Sequence, residues 1–163
     1  MRFSYLMTAL LLAAAVAQAQ VPADDPDWRE AEAPPAPELK LQGLIALEIA
    51  GSALRFGIDP SSIAVGSDGI VRYVVVATSA TGVVNAIYEG IRCGDGEFKI
   101  YARHHPAGGW MVPKDSKWRP VKEQRHTEVI ARSGACMGRS ANRSVVQIVR
   151  DLRTPLERRY LVE

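Results

Sequence analysis

Residues 88–105, YEGIRCGDGEFKIYARHH, hold one of the two cysteines and two of the three histidines, with carboxylates and cations set among tyrosines. Such a mixture allows metal ligation, thiolate catalysis, or a polar site of paired charges. Metal ligation needs side chains that converge. His104 and His105 are adjacent and on a strand would point to opposite faces, while His126 is distant. No H-x-x-x-H, H-E-x-x-H or C-x-x-C spacing occurs, and GDGE at 94–97 lacks the alternating acids of a calcium loop. No metal and no cofactor is therefore expected. G-x-S-x-G, S-x-x-K and glycine-rich phosphate cradles are absent as well.

Thiolate catalysis would fall to Cys136 in SGACMGR, 133–139, with His126 upstream as the base that makes the thiolate. The segment faintly resembles the S-x-G-C-x-R loop of bacterial L,D-transpeptidases. It departs from that loop in having Ala135 directly before the cysteine and an extra Gly138 before the arginine. The competing expectation is a disulfide between Cys93 and Cys136, the only cysteines of a chain that reads as exported.

Export is expected from MRFSYLMTALLLAAAVAQAQ. Arg2 supplies a positive start, the apolar run 6–16 is too short to span a bilayer, and Ala17-Gln18-Ala19 is a small-x-small cleavage pattern. The expected organisation is a signal peptide at 1–19, a disordered proline-rich acidic arm at 20–40, and a single domain at 41–163. The product would be periplasmic or secreted, with no membrane span after cleavage. Without Arg2 the chain carries 19 basic and 18 acidic residues, which argues against nucleic acid as a partner. The charge is uneven: 20–60 holds eight acids and three bases, 61–163 ten acids and sixteen bases. A basic C-terminal part points to anionic envelope polymers or lipid head groups, or is simply a solvated surface; the partner expected is an envelope protein or an anionic envelope polymer.

The elements that must position these residues follow from turn signals. Residues 20–38 contain five prolines and six acids and should be extended; Trp28 within them is either an anchor onto the domain or an exposed contact. Residues 44–59 read as two short strands around Gly51-Ser52, with a helix over the first part as the alternative. Asp68-Gly69 precedes a β-branched run at 70–80, the clearest strand. Thr81-Gly82 and Gly94-Asp95-Gly96 then define two more strands, 83–93 and 97–103. Trp110 and Trp118 are expected as hydrophobic anchors. Residues 122–132 and 144–152 read as helical, the latter with Val145, Ile148, Val149 and Leu152 on one face. The fold class is α+β, an antiparallel β-meander with C-terminal helical elements.

A two-residue loop at Thr81-Gly82 and a three-residue loop at 94–96 set a register in which paired residue numbers sum to 163 and 190. One face then collects Tyr73, Val75, Ala77, Val84, Ala86, Tyr88, Phe98, Ile100 and Ala102, the expected core, with Gly90 among them. The other collects Arg72, Val74, Val76, Ile87, Glu89, Ile91, Cys93, Lys99, Tyr101 and Arg103. On it, Arg72, Glu89, Lys99 and Tyr101 form either ion pairs on a half-solvated surface or a candidate polar site, partly covered by whatever segment the disulfide draws across.

Asp27-Trp28, then RFGIDPSSIAVGSDGIVRYVVVATSATG at 55–82, YEGIRC at 88–93, KIYAR at 99–103, and Trp110 and Trp118 beyond, resemble the CNP-one-like (cryptic neisserial protein-like) family. The resemblance covers most of the chain and implies a small exported proteobacterial protein with no known activity, cofactor or catalytic residue. It places Arg72, Tyr73, Tyr88, Glu89, Gly90, Arg92 and Cys93 in signature segments. The expected function is a non-enzymatic binding or structural module of the cell envelope. The alternative is a small envelope enzyme using Cys136 or a Glu89/Arg72 site.

Overall fold

Turn residues and the β-branched run between them build the sheet. The computed structural model describes residues 27–154, so the expected signal peptide, the start of the arm and the charged tail lie outside the described residues. β1 (Ile45–Leu47) and β2 (Arg55–Ile58) form a hairpin. A 3-10 turn at Pro60–Ser62, capped by the Asp59 side chain, leads to β3 (Ala64–Val65). The meander follows: β4 (Ile70–Thr78), β5 (Val84–Arg92) and β6 (Glu97–His105). Two short strands, β7 (Gly109–Met111) and β8 (Arg119–Pro120), both pair with β6. The sheet is antiparallel and runs β1-β2-β4-β5-β6-β7, with β3 against β4.

α1 (Arg125–Ile130) continues into a π-helical turn at Ala131–Ala135. A separate hairpin, β9 (Cys136–Met137) and β10 (Ser140–Ala141), precedes α2 (Val145–Arg153). Ser144 caps α2 by accepting from Gln147 N, and Arg150 and Arg153 occupy the last turn, where cations favour the helix dipole. Its apolar stripe faces inward as the spacing predicts: Ile148 and Leu152 are buried, with Val145 and Val149 packed beside them. The α+β antiparallel meander with C-terminal helices is thus the observed architecture.

Both faces of the sheet are covered, and β4 is accordingly buried from Ile70 through Ala77. One face carries Val71, Tyr73, Val75, Ile91, Phe98 and Ile100 and packs with Ile130, Ile148 and Leu152 of the helices. The other carries Val74, Val76, Ala86, Tyr88 and Ala102 and packs against Ala36 and Leu39 of the arm and against Trp110. From Asp27 onward the proline-rich arm is extended, as expected. It is not a free arm there, however: it lies along the sheet, with Trp110 Nε1 donating to Pro37 O at 2.7 Å.

The expected register is corrected by one residue. The β4–β5 loop has three residues, not two: Ser79 N donates to Val83 O and Gly82 N to Ser79 O, with Gly82 at φ 83°. Tyr73 therefore pairs with Glu89, and Val74 with Tyr88. One residue of slip moves every β5 side chain to the other face. Ile87, Glu89 and Ile91 join the helix face, and Ala86 and Tyr88 leave it. The β5–β6 loop is also one residue longer than expected, so Arg92 pairs with Glu97 and Glu89 with Ile100. A β-bulge then inserts Tyr101, and from Tyr88–Ala102 onward the pairing is the expected one.

Cys93 and Cys136 are joined, with Cα atoms 5.7 Å apart, in the geometry the bond requires. The bond ties the end of β5 to the segment between α1 and α2. For the 43-residue separation, chain entropy gives roughly 4 kcal/mol of stabilisation. Cys93→Ser and Cys136→Ser should each lower the melting temperature by a similar amount, and the double variant should be no worse than either. Additive losses in a calorimetric comparison would contradict a shared bond. Gly90→Val should cost roughly 1–3 kcal/mol by denaturant titration. A Cβ there would come 2.7 Å from Ile70 Cγ2 and 2.9 Å from Tyr101 Cε2. These neighbours lie on the arm side, not in the helix-side core where Gly90 was expected.

Candidate functional site

The sheet separates the four residues expected to share a polar face. Paired residues lie on the same side, so Glu89 follows Tyr73 to the helix face, while Arg72, paired with Gly90, stays on the arm face. Arg72, Lys99 and Tyr101 are brought together on the arm side, and Glu89 is not with them. Two polar clusters result.

On the helix side Glu89 has no solvent exposure, and neither have Tyr73 and Thr127. Its Oε1 accepts from Tyr73 Oη at 2.7 Å and from Thr127 Oγ1 at 2.9 Å. Its Oε2 accepts from Gln124 Nε2 at 3.0 Å. The 3-10 turn Val121–Glu123 and the first turn of α1 deliver Gln124, His126 and Thr127 together over β5. His126 Nε2 lies 3.4 Å from Glu89 Oε2 and 2.7 Å from Gln124 Nε2. The ring stacks on Phe56, centroids 5.0 Å apart. Burial, then the charge of Glu89 and the hydrogen bond to it, push the Tyr73 phenol well above its ordinary value.

On the arm side Asp68 and Arg72 form a buried ion pair, Arg72 Nη2 to Asp68 Oδ2 at 2.7 Å, with the two side chains 1% and 3% exposed. Burial alone would raise the Asp68 carboxyl. Hydrogen bonds from Arg72 and from Ile70 N and Ala31 N outweigh it, and the carboxyl titrates below its ordinary range. Burial likewise pulls the Arg72 guanidinium down, but Asp68 and Tyr101 more than offset it. The guanidinium lies 5.3 Å from the Tyr101 ring centroid.

The arm completes this cluster. Glu30 accepts from Lys99 Nζ at 3.0 Å, Tyr101 Oη at 2.9 Å and Trp118 Nε1 at 3.2 Å. Trp28 is the anchor among its two expected roles: Nε1 donates to Asp68 O at 2.9 Å, the ring packs edge-on to Trp118, and the Arg92 guanidinium sits 4.4 Å from its centroid. The Tyr101 phenol is raised, first by burial and then by Glu30, against the opposing pull of Arg72.

Cys136 is corrected as a nucleophile: its sulfur is bonded to Cys93, and His126 faces Glu89 and Phe56. The Glu89/Arg72 pair is corrected as a shared site, because the two residues occupy opposite faces. His104 packs edge-on against Trp110, and His105 is exposed at the end of β6. Among the described residues no three His, Cys, Asp or Glu side chains are placed to hold a metal, and no helix is long and apolar enough to cross a membrane. Sequence reasoning passed over Tyr73, Gln124 and Thr127 as partners of Glu89, and over Glu30 and Asp68 on the arm side. Asp68 was visible only as a turn residue.

A family model described as CNP1-like matches residues 23–153, spanning the arm, the sheet and both helices. No curated protein matches, and no solved structure matches.

The helix-side cluster makes a stability prediction. Tyr73→Phe removes one donor from a buried carboxyl and should cost roughly 1–3 kcal/mol. With Glu89→Gln it should be strongly non-additive in a double-mutant cycle; simple additivity in urea titrations would refute the coupling. Tyr73, Tyr88 and Tyr101 all hold their phenol protons more tightly folded than unfolded. Their contribution is complete below the ordinary phenol value and is lost as pH rises past about 10. Urea midpoints should fall there, and less steeply in Tyr73→Phe.

Proposed function

We propose, from the premise that the chain belongs to the CNP1-like family, that it is an exported, non-enzymatic binding or structural module of the bacterial cell envelope. The Cys93–Cys136 bond carries the proposal. Such a bond persists where the surroundings are oxidising, which fits the signal-like residues 1–19. It also commits to a cross-link the one sulfur whose sequence context resembled a catalytic loop. The partner is an envelope protein or an anionic envelope polymer. Sixteen bases against ten acids in 61–163 support an acidic partner, as do the exposed Arg143, Arg150 and Arg153 at and along α2.

Expression of the full-length chain followed by osmotic shock tests this. The chain should be released with the periplasmic contents, begin at Gln20, and show an intact mass lowered by two hydrogens with no thiol open to alkylation. Retention in the cytoplasm with two alkylatable cysteines would overturn the proposal.

A further inference from the structure

We propose that the arm face of the sheet is a recognition groove for an extended acidic peptide that presents a tryptophan two residues before a glutamate. The chain's own arm, Trp28 through Pro37, is its resident occupant. The inference rests on the binding-module reading above and names the partner class of one face.

The arm is held as a ligand is held. From Trp28 to Leu41 it has no helix and no strand pairing. Its fixed points are side chains of the domain closing on particular arm groups. Three donors from different positions, Lys99, Tyr101 and Trp118, converge on the single carboxylate of Glu30. Among the described residues Lys99 Nζ and Trp118 Nε1 have no other hydrogen-bond acceptor, so without the arm both stand as an empty carboxylate receptor. Trp28 enters between Asp68 O, the Trp118 ring and the Arg92 guanidinium. The Asp68–Arg72 pair addresses the backbone of Ala31 from both sides: Asp68 Oδ2 accepts from Ala31 N at 3.0 Å, and Arg72 Nη2 donates to Ala31 O at 3.4 Å. Trp110 fixes the far end at Pro37 O.

Every one of these contacts reads a feature that another extended chain can offer: an indole, a carboxylate, one residue's amide and carbonyl, and a further carbonyl. Recognition by charge-assisted hydrogen bonds to one carboxylate and by indole stacking on a guanidinium is specific for an acidic, tryptophan-bearing segment. Short tethers give a segment an effective concentration on the order of millimolar, so an external segment competes with the resident arm by a better match or by abundance.

The test uses the full mature chain with a site-specific protease sequence inserted between the exposed Gln42 and Gly43. After cutting, a dye-labelled synthetic peptide of residues 20–40 is titrated and followed by fluorescence anisotropy, with circular dichroism checking the fold. The peptide should exchange into the cut chain and bind the uncut chain far more weakly. Trp28→Ala or Glu30→Gln in the peptide should each weaken binding by roughly tenfold. As a second arm, the uncut chain carrying Trp28→Ala and Glu30→Gln should accept the unchanged peptide. Loss of the fold on cutting would make the arm part of the core and overturn the proposal. So would absence of exchange, or equal binding of the altered peptides. None of these results bears on export or on the disulfide, so failure here is distinguishable from failure of the proposed function.

Discussion

A carboxyl group without solvent contact sits beneath α1, and the surrounding structure has to supply its hydrogen bonds. An unserved polar group at such a depth costs about 1–3 kcal/mol, and more when charged. Glu89 meets that demand from two directions: Tyr73 from the neighbouring strand, Gln124 and Thr127 from the start of α1. The donors fix where α1 lies along β5 and how it is turned. Ile130 then falls into the helix-side core, and the π turn brings Cys136 back to Cys93. Apolar packing alone would tolerate a rotated or shifted helix. A buried carboxyl with named partners does not.

The opposite face follows a different logic. Its covering layer is an extended segment rich in proline, which cannot contribute a full ladder of backbone hydrogen bonds. Attachment therefore falls to side chains: the Asp68–Arg72 pair, the three donors around Glu30 and the indoles of Trp28, Trp110 and Trp118. The contacts to the arm's indole and carboxylate are individually small, about 0.5–1 kcal/mol for an exposed cation–π pair and less than that for many surface ion pairs. Spread over ten residues they hold the arm down while leaving its fixed points separate from one another. The helix layer is built to stay in place, and the arm layer is built from parts that another chain could replace.

Much of the architecture was legible because the signals were local. Asp68-Gly69, the β-branched run of β4 and the 3.6-residue stripe of α2 each specify their element within a few residues. The candidate site was legible only in part, because it depended on register. The loop Ala80-Thr81-Gly82 carries its glycine at the third loop position, which is the mark of a three-residue loop with a left-handed closing residue. Counting two residues instead moved Glu89 from the helix face to the arm face. Lys99, Tyr101 and Arg72 were placed together correctly relative to one another. The true partner of Lys99 and Tyr101, Glu30, is distant in sequence, in a segment whose composition argued for freedom. No local pattern announces that Trp28 and Glu30 will find Asp68 and Lys99 across such a separation. Gln124 and Thr127 were equally silent, since an exposed-looking polar turn of a helix becomes a donor set only once a carboxyl is known to lie beneath it.

The two polar clusters are nevertheless joined by one irregularity. In an unbroken β5–β6 ladder the face-to-face alternation would continue past Ile100, and Tyr101 and Ala102 would take opposite sides. The bulge places an additional residue between the pairs Glu89–Ile100 and Tyr88–Ala102. Ile100 stays on the helix side opposite Glu89, while Tyr101 and Ala102 both serve the arm side, where Ala102 packs with Val74 and Tyr88 and the Tyr101 hydroxyl meets Glu30. Gly90 makes this possible: any larger residue would meet the Tyr101 ring, Ile70 and the Arg72 stem. The inserted residue thus leaves Ile100 beside Glu89 and the Tyr101 phenol beside Lys99, and brings Ala102 over to the arm side. The two carboxylate environments, of Glu89 and of Glu30, thus lie against opposite faces of a single strand pair.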